Sequence, residues 1–200
     1  MKIGQGLQFN VYYREGKIEK IPTSKNQVKW KLICWNPSYI FKPSTLEQEA
    51  NRTIKERDEL LKDQRLIQIN PTLLANLKIY NGKITQDKVT PLKEKIKNYN
   101  EACNIIDNYT QFIFKCWQNG FSEKTYNFTI NNGIDSNGNV TLIDFGELTF
   151  NRLDVEKAIQ TKRWEKSHSF RWDLTKKIKE YYEELMDKQI TLKNLDKYWR

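Results

Sequence analysis

The chain has 200 residues, a formal net charge of +9 at pH 7, and 38% hydrophobic and 12% aromatic residues, which excludes a disordered chain despite 30% charged residues. Its three cysteines lack a CxxC spacing and its one histidine is His168, which excludes a disulfide framework and a structural zinc site and points to reduced thiols in a cytoplasmic protein. No segment reaches the apolar length of a membrane span, and the N-terminus lacks the apolar region of a signal peptide.

Residues 1–35 read as β-rich. Gly4 and Gly6 open the chain, Arg14-Glu15-Gly16-Lys17 reads as a turn between two strands, and Lys20 falls on the second of them. Alternation in Val28, Trp30, Leu32 and Cys34 predicts a further strand, which carries Lys31. Asn36-Pro37-Ser38 and Pro43-Ser44 bracket an aromatic linker, Tyr39 to Phe41. Ser44 followed by Glu47 is a capping-box pair, so a helix is predicted from Thr45 through Leu46, Ala50, Ile54 and Leu61 to about Lys62. Leu73 to Tyr80, Asn81-Gly82 and Lys83 to Val89 predict a hairpin with a type I′ turn, which Thr90-Pro91 ends. From Leu92 to Gln118 the apolar spacing is helical, with Cys103 and Cys116 as small core residues, and Asn119-Gly120 stops that helix. Asn137-Gly138 is a second hairpin signal, followed by a strand of Val140, Leu142 and Ile143 that ends on Asp144. Val155 to Trp164, Leu174 to Met186 and Leu192 to Trp199 read as helices.

The stretch GNVTLIDFGE, Gly138 to Glu147, sets a turn, a buried strand and then a carboxylate next to a glycine. LIDFG after the NG turn resembles the metal-binding DFG segment of the protein-kinase-like superfamily. That resemblance implies that Asp144 holds Mg²⁺ against the phosphates of ATP. Upstream, NGFSEKTYNFTI (119–130) sits where that superfamily carries its HRDxKxxN loop, after a long helix. Lys124 and Asn127 match the loop's Lys and its metal-binding Asn. The interval from Asn127 to Asp144 is longer than usual, so Asn131 rivals Asn127. Gly120, Phe121 and Ser122 stand where the His, Arg and catalytic Asp are expected, and Glu123 is the nearby carboxylate that would replace the missing base.

At the other end, Gly4, Gly6 and Val11 resemble the GxGxxGxV loop over ATP phosphates, with Phe9 where the third Gly is expected. Lys20 matches the phosphate-pairing Lys, with Lys31 as its rival, and Glu49 and Glu56 are candidates for its helical partner. The series in this order implies an α+β, two-lobed kinase-like fold reduced in size. Its β-rich N-lobe would span residues 1–89 and its mainly helical C-lobe residues 90–200, with the hinge at Thr90-Pro91.

The function implied is an ATP- and Mg²⁺-binding protein. It would be either a slow phosphotransferase acting on a protein or small-molecule acceptor, or a pseudokinase. The alternative is a basic nucleic-acid-binding protein in which LIDFG is plain core strand. Trp164, Phe170 and Trp172, among Arg163, Lys166 and Arg171, would then stack on bases, although their helical spacing favours packing. Lys and Arg are spread among acidic residues along the chain, as on a generally solvated surface.

Overall fold

Three strands open the chain: β1 (Lys2–Gln5), β2 (Phe9–Arg14) and β3 (Lys17–Pro22). They pair antiparallel in sequence order, and β2 runs in unbroken register with β3 from Phe9↔Pro22 to Arg14↔Lys17. The computed structural model describes residues 1–200, the side chain of Gln5 excepted. The chain divides into two compact units, Met1–Ile69 with Asn76–Lys88, and Asn70–Ala75 with Val89–Arg200.

In the first unit the segment with strand-like alternation is a helix, α1 (Lys25–Trp35). Ser24 and Gln27 form a full capping box there, and the buried pair is Val28 and Leu32, four residues apart. The cap and that i,i+4 pair outweigh the alternation, because Trp30 and Cys34 face solvent. A short 3₁₀ turn, Pro37–Phe41, leads into α2 (Pro43–Lys62). The expected Ser44–Glu47 capping box does not form: Lys42 is the N-cap, without a side-chain bond. Glu47 instead pairs with Lys25 and Lys29 of α1. Val28, Leu32 and Ala50 form the core between the two helices, with Leu7, Tyr39, Leu46 and Ile54 packed against it.

After α3 (Gln64–Gln68), the strands β4 (Lys78–Tyr80) and β5 (Lys83–Asp87) complete a five-stranded antiparallel sheet in the order β1-β2-β3-β5-β4. Asn81 and Gly82 both have positive φ, as a type I′ turn requires. The hairpin is shorter than expected, because Pro71–Leu74 is a 3₁₀ turn that belongs to the second unit.

After the Pro71–Leu74 turn, the second unit continues with β6 (Thr90–Pro91) and α4 (Leu92–Lys95), followed by α5 (Tyr99–Gln118). The expected single helix breaks at residues 96–98, where the Asn98 side chain caps Glu101 N at 3.0 Å and restarts it. Its end is a Schellman motif: Phe121 N bonds Cys116 O and Gly120 N bonds Trp117 O, with Gly120 at φ +71°. Then come β7 (Ser122–Glu123), α6 (Phe128–Asn131), β8 (Asn132–Ile134), β9 (Val140–Leu142) and β10 (Leu148–Thr149). Three helices finish the chain: α7 (Arg152–Gln160), α8 (Lys176–Gln189) and α9 (Leu192–Tyr198). Buried Tyr109, Phe114 and Trp117 of α5 form its core with Phe128 and Tyr182, and Tyr198 stacks on Phe114 at 4.6 Å. The protein is α+β, and among the described residues no helix is long and apolar enough to cross a membrane.

Candidate functional site

Glu123 organises the segment that the resemblance marks as a catalytic loop. It lies on a two-residue strand and is 8% exposed. Its Oε1 accepts hydrogen bonds from Asn127 N at 2.7 Å, Asn131 Nδ2 at 2.7 Å and Thr125 Oγ1 at 3.1 Å. Its Oε2 accepts from Asn132 Nδ2 at 3.1 Å and Tyr109 OH at 3.3 Å. Five donors occupy the lone pairs of one buried carboxylate, so the loop from Thr125 to Asn132 is wound around it. Burial pushes the Glu123 carboxyl above its ordinary pKa, and the bonds from Asn132, Asn131, Asn127 and Thr125 oppose that only in part. Ser122 is also enclosed, accepting from Trp117 Nε1 at 3.3 Å.

The loop wound on Glu123 in turn positions Asp144. The Asn131 carbonyl accepts from Ile143 N at 2.7 Å and Asp144 N at 3.1 Å. On the far side, β7 pairs with β10 through Ser122↔Thr149 and Glu123↔Leu148, and Lys124 N bonds Glu147 O at 2.7 Å. Residues 122–131 and 143–149 are thus joined at both ends. Asp144 is exposed and caps a 3₁₀ turn, Phe145–Glu147, by accepting from Gly146 N at 3.1 Å, while Phe145 is fully buried beneath it. The strand delivers a directed carboxylate over an apolar anchor.

Glu147, which the sequence reading did not single out, is half-buried close to Asp144. Burial raises its pKa first, the charges of Asp144 and Glu123 add to the rise, and Lys124 and Arg163 counter it. Asp144 and Glu147 thus bring two carboxylates to one short turn, with the cationic Lys124 and Arg163 acting on the second of them. Its only sequence signal is an acidic residue three positions beyond Asp144.

The two rival asparagines differ in what their oxygens do. Asn127 Oδ1 accepts from His168 N at 2.6 Å, so it is committed to the segment behind the loop. Asn131 is 4% exposed and uses its Nδ2 on Glu123 and Thr125, and none of these bonds engages its Oδ1. The structure therefore brings Asn131, not Asn127, to Asp144 through the backbone. Lys124 is exposed on the loop.

Residues 167–173 hold the loop from behind. Thr129 N donates to Ser169 Oγ at 3.1 Å, and Thr129 Oγ1 lies 2.6 Å from Asp173 Oδ2. Lys93 bonds Asp173 Oδ1 at 2.6 Å, and His168 Nδ1 stands 3.6 Å from Oδ2. Burial pushes the Asp173 pKa up, but the bonds from Lys93 and Thr129 and the charges of Lys93 and His168 bring it below its ordinary value. Trp164 and Phe170 pack, as the helical spacing of this stretch favours over a stacking surface. Trp164 is 1% exposed and packs edge-on against Tyr126, Phe170 lies against Tyr182, and Trp172 alone of the three is exposed.

In the first unit, Gly4 lies on β1 opposite Val11, and Gly6 N bonds Phe9 O at 2.9 Å across the turn to β2. A Cβ at either glycine would meet nothing closer than 3.6 Å, so the fold itself does not demand glycine at these positions. Lys20 is buried on β3, between Val11 and Ile84 in the register. Lys31 is on helix α1 rather than a strand, and its Nζ bonds Gly6 O at 2.5 Å and Asn10 Oδ1 at 3.2 Å. Glu49 pairs with Arg52 at 2.5 Å, and Glu56 reaches the same Arg52 at 3.8 Å from the exposed side of α2. A scan against protein-family models gives no match to this chain, and a search of curated proteins gives none either.

Proposed function

We propose that this is a kinase-like protein that binds ATP with Mg²⁺, in which Asp144, Glu147 and the Asn131 carboxamide oxygen hold the cation, and which lacks a general base on its loop. One observation carries this reading: the loop wound on Glu123 and the turn bearing Asp144 are fastened side by side, through the Asn131 carbonyl at one end and the β7–β10 pair at the other. Mg²⁺ requires hard oxygen ligands from fixed segments, and this pair of segments offers them. A cation there would bring a nucleotide's phosphates within reach of exposed Lys124. Gly4, Gly6 and Lys20, with Glu49 or Glu56, belong to the proposal on the resemblance alone, as does the two-lobed kinase-like architecture.

Burial of Ser122 and Glu123 supports a nucleotide-binding role without efficient transfer. A base must reach the acceptor hydroxyl, and general-base assistance contributes a factor of about 10² to 10⁴ in rate. A carboxylate enclosed by five donors reaches no acceptor, so Glu123 acts here by holding the loop.

Electron paramagnetic resonance with Mn²⁺ in place of Mg²⁺ tests the ligand set. ATP should create a protein-bound Mn²⁺ signal that Asp144→Asn and Asn131→Ala lose and Asn127→Ala keeps, with melting curves recorded alongside to exclude unfolding. Loss of the signal in Asn127→Ala with its retention in folded Asn131→Ala would return the ligand role to Asn127.

A further inference from the structure

The first unit carries a cavity of about 440 Å³ between the outer face of α1 and the β1–β2 strands, lined by Lys2, Asn10, Asn26, Trp30, Lys31 and Trp35 among others. Its volume lies within the range of small-ligand sites. Residues of a strand alternate between the two faces of a sheet, and directly paired residues share a face. Asn10 pairs with Ile21, whereas Lys20 pairs with Val11 and Ile84, so Asn10 and the cavity lie on the sheet face opposite Lys20. The cavity is therefore separate from Lys20 and from the Asp144 turn, although Lys31 in its lining bonds the Gly6 carbonyl.

The lining is chemically one-sided. Trp30 and Trp35 are 67% and 66% exposed, unusual for two tryptophans on a single helix. Lys31 is half-buried and fixed by Gly6 O and Asn10 Oδ1, and Lys2 shares the lining with it. Among the described residues no Asp or Glu lines the cavity, while Asn26 offers both a donor and an acceptor. Aromatic walls beside ammonium groups and an amide match a planar heterocycle that carries an anion.

We propose that this cavity binds a nucleotide unit, its base against Trp30 and Trp35 and its phosphate at Lys31 and Lys2. The unit is either a free mononucleotide or one residue of a single strand. The proposal is independent of the Mg²⁺ site. Because Lys31 also holds the Gly6 carbonyl, a bound phosphate competes for the contact that ties α1 to the β1–β2 turn.

Calorimetric titration of the full chain in a metal chelator, with AMP and separately with a short oligothymidylate, tests this. At least one probe should bind saturably, with AMP binding identifying a free nucleotide and binding of the oligomer alone identifying a strand. Stacking is worth about 1–3 kcal/mol per base, so Trp30→Ala should weaken binding by about fivefold or more. Lys31→Glu should weaken it as well, and Asp144→Asn should leave it unchanged. Trp35→Ala, at an exposed position, decides the matter if Lys31→Glu fails to fold. The proposal is overturned if neither probe binds, if the Trp30 and Trp35 variants bind like the wild type, or if Asp144→Asn abolishes binding.

Discussion

Glu123 shows how one buried carboxylate can hold a loop together. Its carboxylate is the acceptor for Asn127 N, Asn131 Nδ2, Thr125 Oγ1, Asn132 Nδ2 and Tyr109 OH, and losing it strands the buried Asn131, Asn132 and Tyr109 donors. Glu123→Ala should therefore cost about 3 kcal/mol or more in denaturant unfolding. Glu123→Gln should cost less than about 1.5 kcal/mol. Asn132 Oδ1 is buried without a partner, and a turned Asn132 amide would accept from the new Nε2. Equal costs for the two variants would refute this account of the loop. The sign of the pH dependence follows from burial. The folded Glu123 carboxyl binds its proton more tightly than the unfolded one, so its stabilising contribution is whole below the ordinary value of 4.5 and is lost as pH rises through the folded value. Glu147 has the same sign. Asp173 has the opposite one, contributing above its ordinary 3.8 and losing that contribution as pH falls through its depressed folded value. Stability measured from pH 4.5 towards neutrality should fall less steeply in Glu123→Gln than in the wild type. An unchanged slope would mean that Glu123 does not titrate in that interval.

Among the elements, what was legible in the sequence was mostly what local chemistry enforces. Asn81-Gly82 makes the type I′ turn, Asn119-Gly120 ends α5, and α2, α8 and α9 lie where their apolar spacing puts them. The misreadings arose where two local signals compete. The alternation of residues 28–34 hid a helix opened by the Ser24 capping box, and Ser44–Glu47 imitated a cap whose Glu is drawn to Lys25 and Lys29 of the neighbouring helix. The geometry of the candidate site was half legible. LIDFG pointed to Asp144, but the choice between Asn127 and Asn131 depends on which oxygen His168 N occupies, a contact across 41 positions of sequence that spacing cannot reveal. The glycines separate structural from ligand-related roles. Gly120→Ala should cost about 1–2 kcal/mol, because φ is +71° and its Cβ would stand 3.0 Å from Arg200 O. Gly4→Ala and Gly6→Ala should leave stability unchanged or raise it by up to about 1 kcal/mol, since neither Cβ meets an obstacle. If these two glycines serve phosphate approach, the same variants weaken ATP binding, and calorimetry reads that loss directly. Full ATP affinity in both would remove the glycine loop from the proposed function.

At the scale of the whole molecule, the chain joins a five-stranded antiparallel sheet with two packed helices to a helical unit whose loop and acidic turn are cross-braced. The net charge of +9 attracts anions generally, so nucleotide binding by itself does not identify a site. Dependence on the cation and on one carboxylate does. A ligand that binds only the folded state stabilises it by RT ln(1 + [L]/Kd), about 2.7 kcal/mol at a concentration of 100 Kd. The most direct test is the affinity for ATP measured with Mg²⁺ and with a chelator, in the wild type and in Asp144→Asn. The proposed site predicts binding in the wild type that Mg²⁺ strengthens by about tenfold or more, as expected when a cation bridges Asp144 to phosphate. It also predicts that this gain disappears in an Asp144→Asn protein with an unaltered melting temperature. ATP affinity that is indifferent to Mg²⁺, or that survives unchanged in Asp144→Asn, would contradict it.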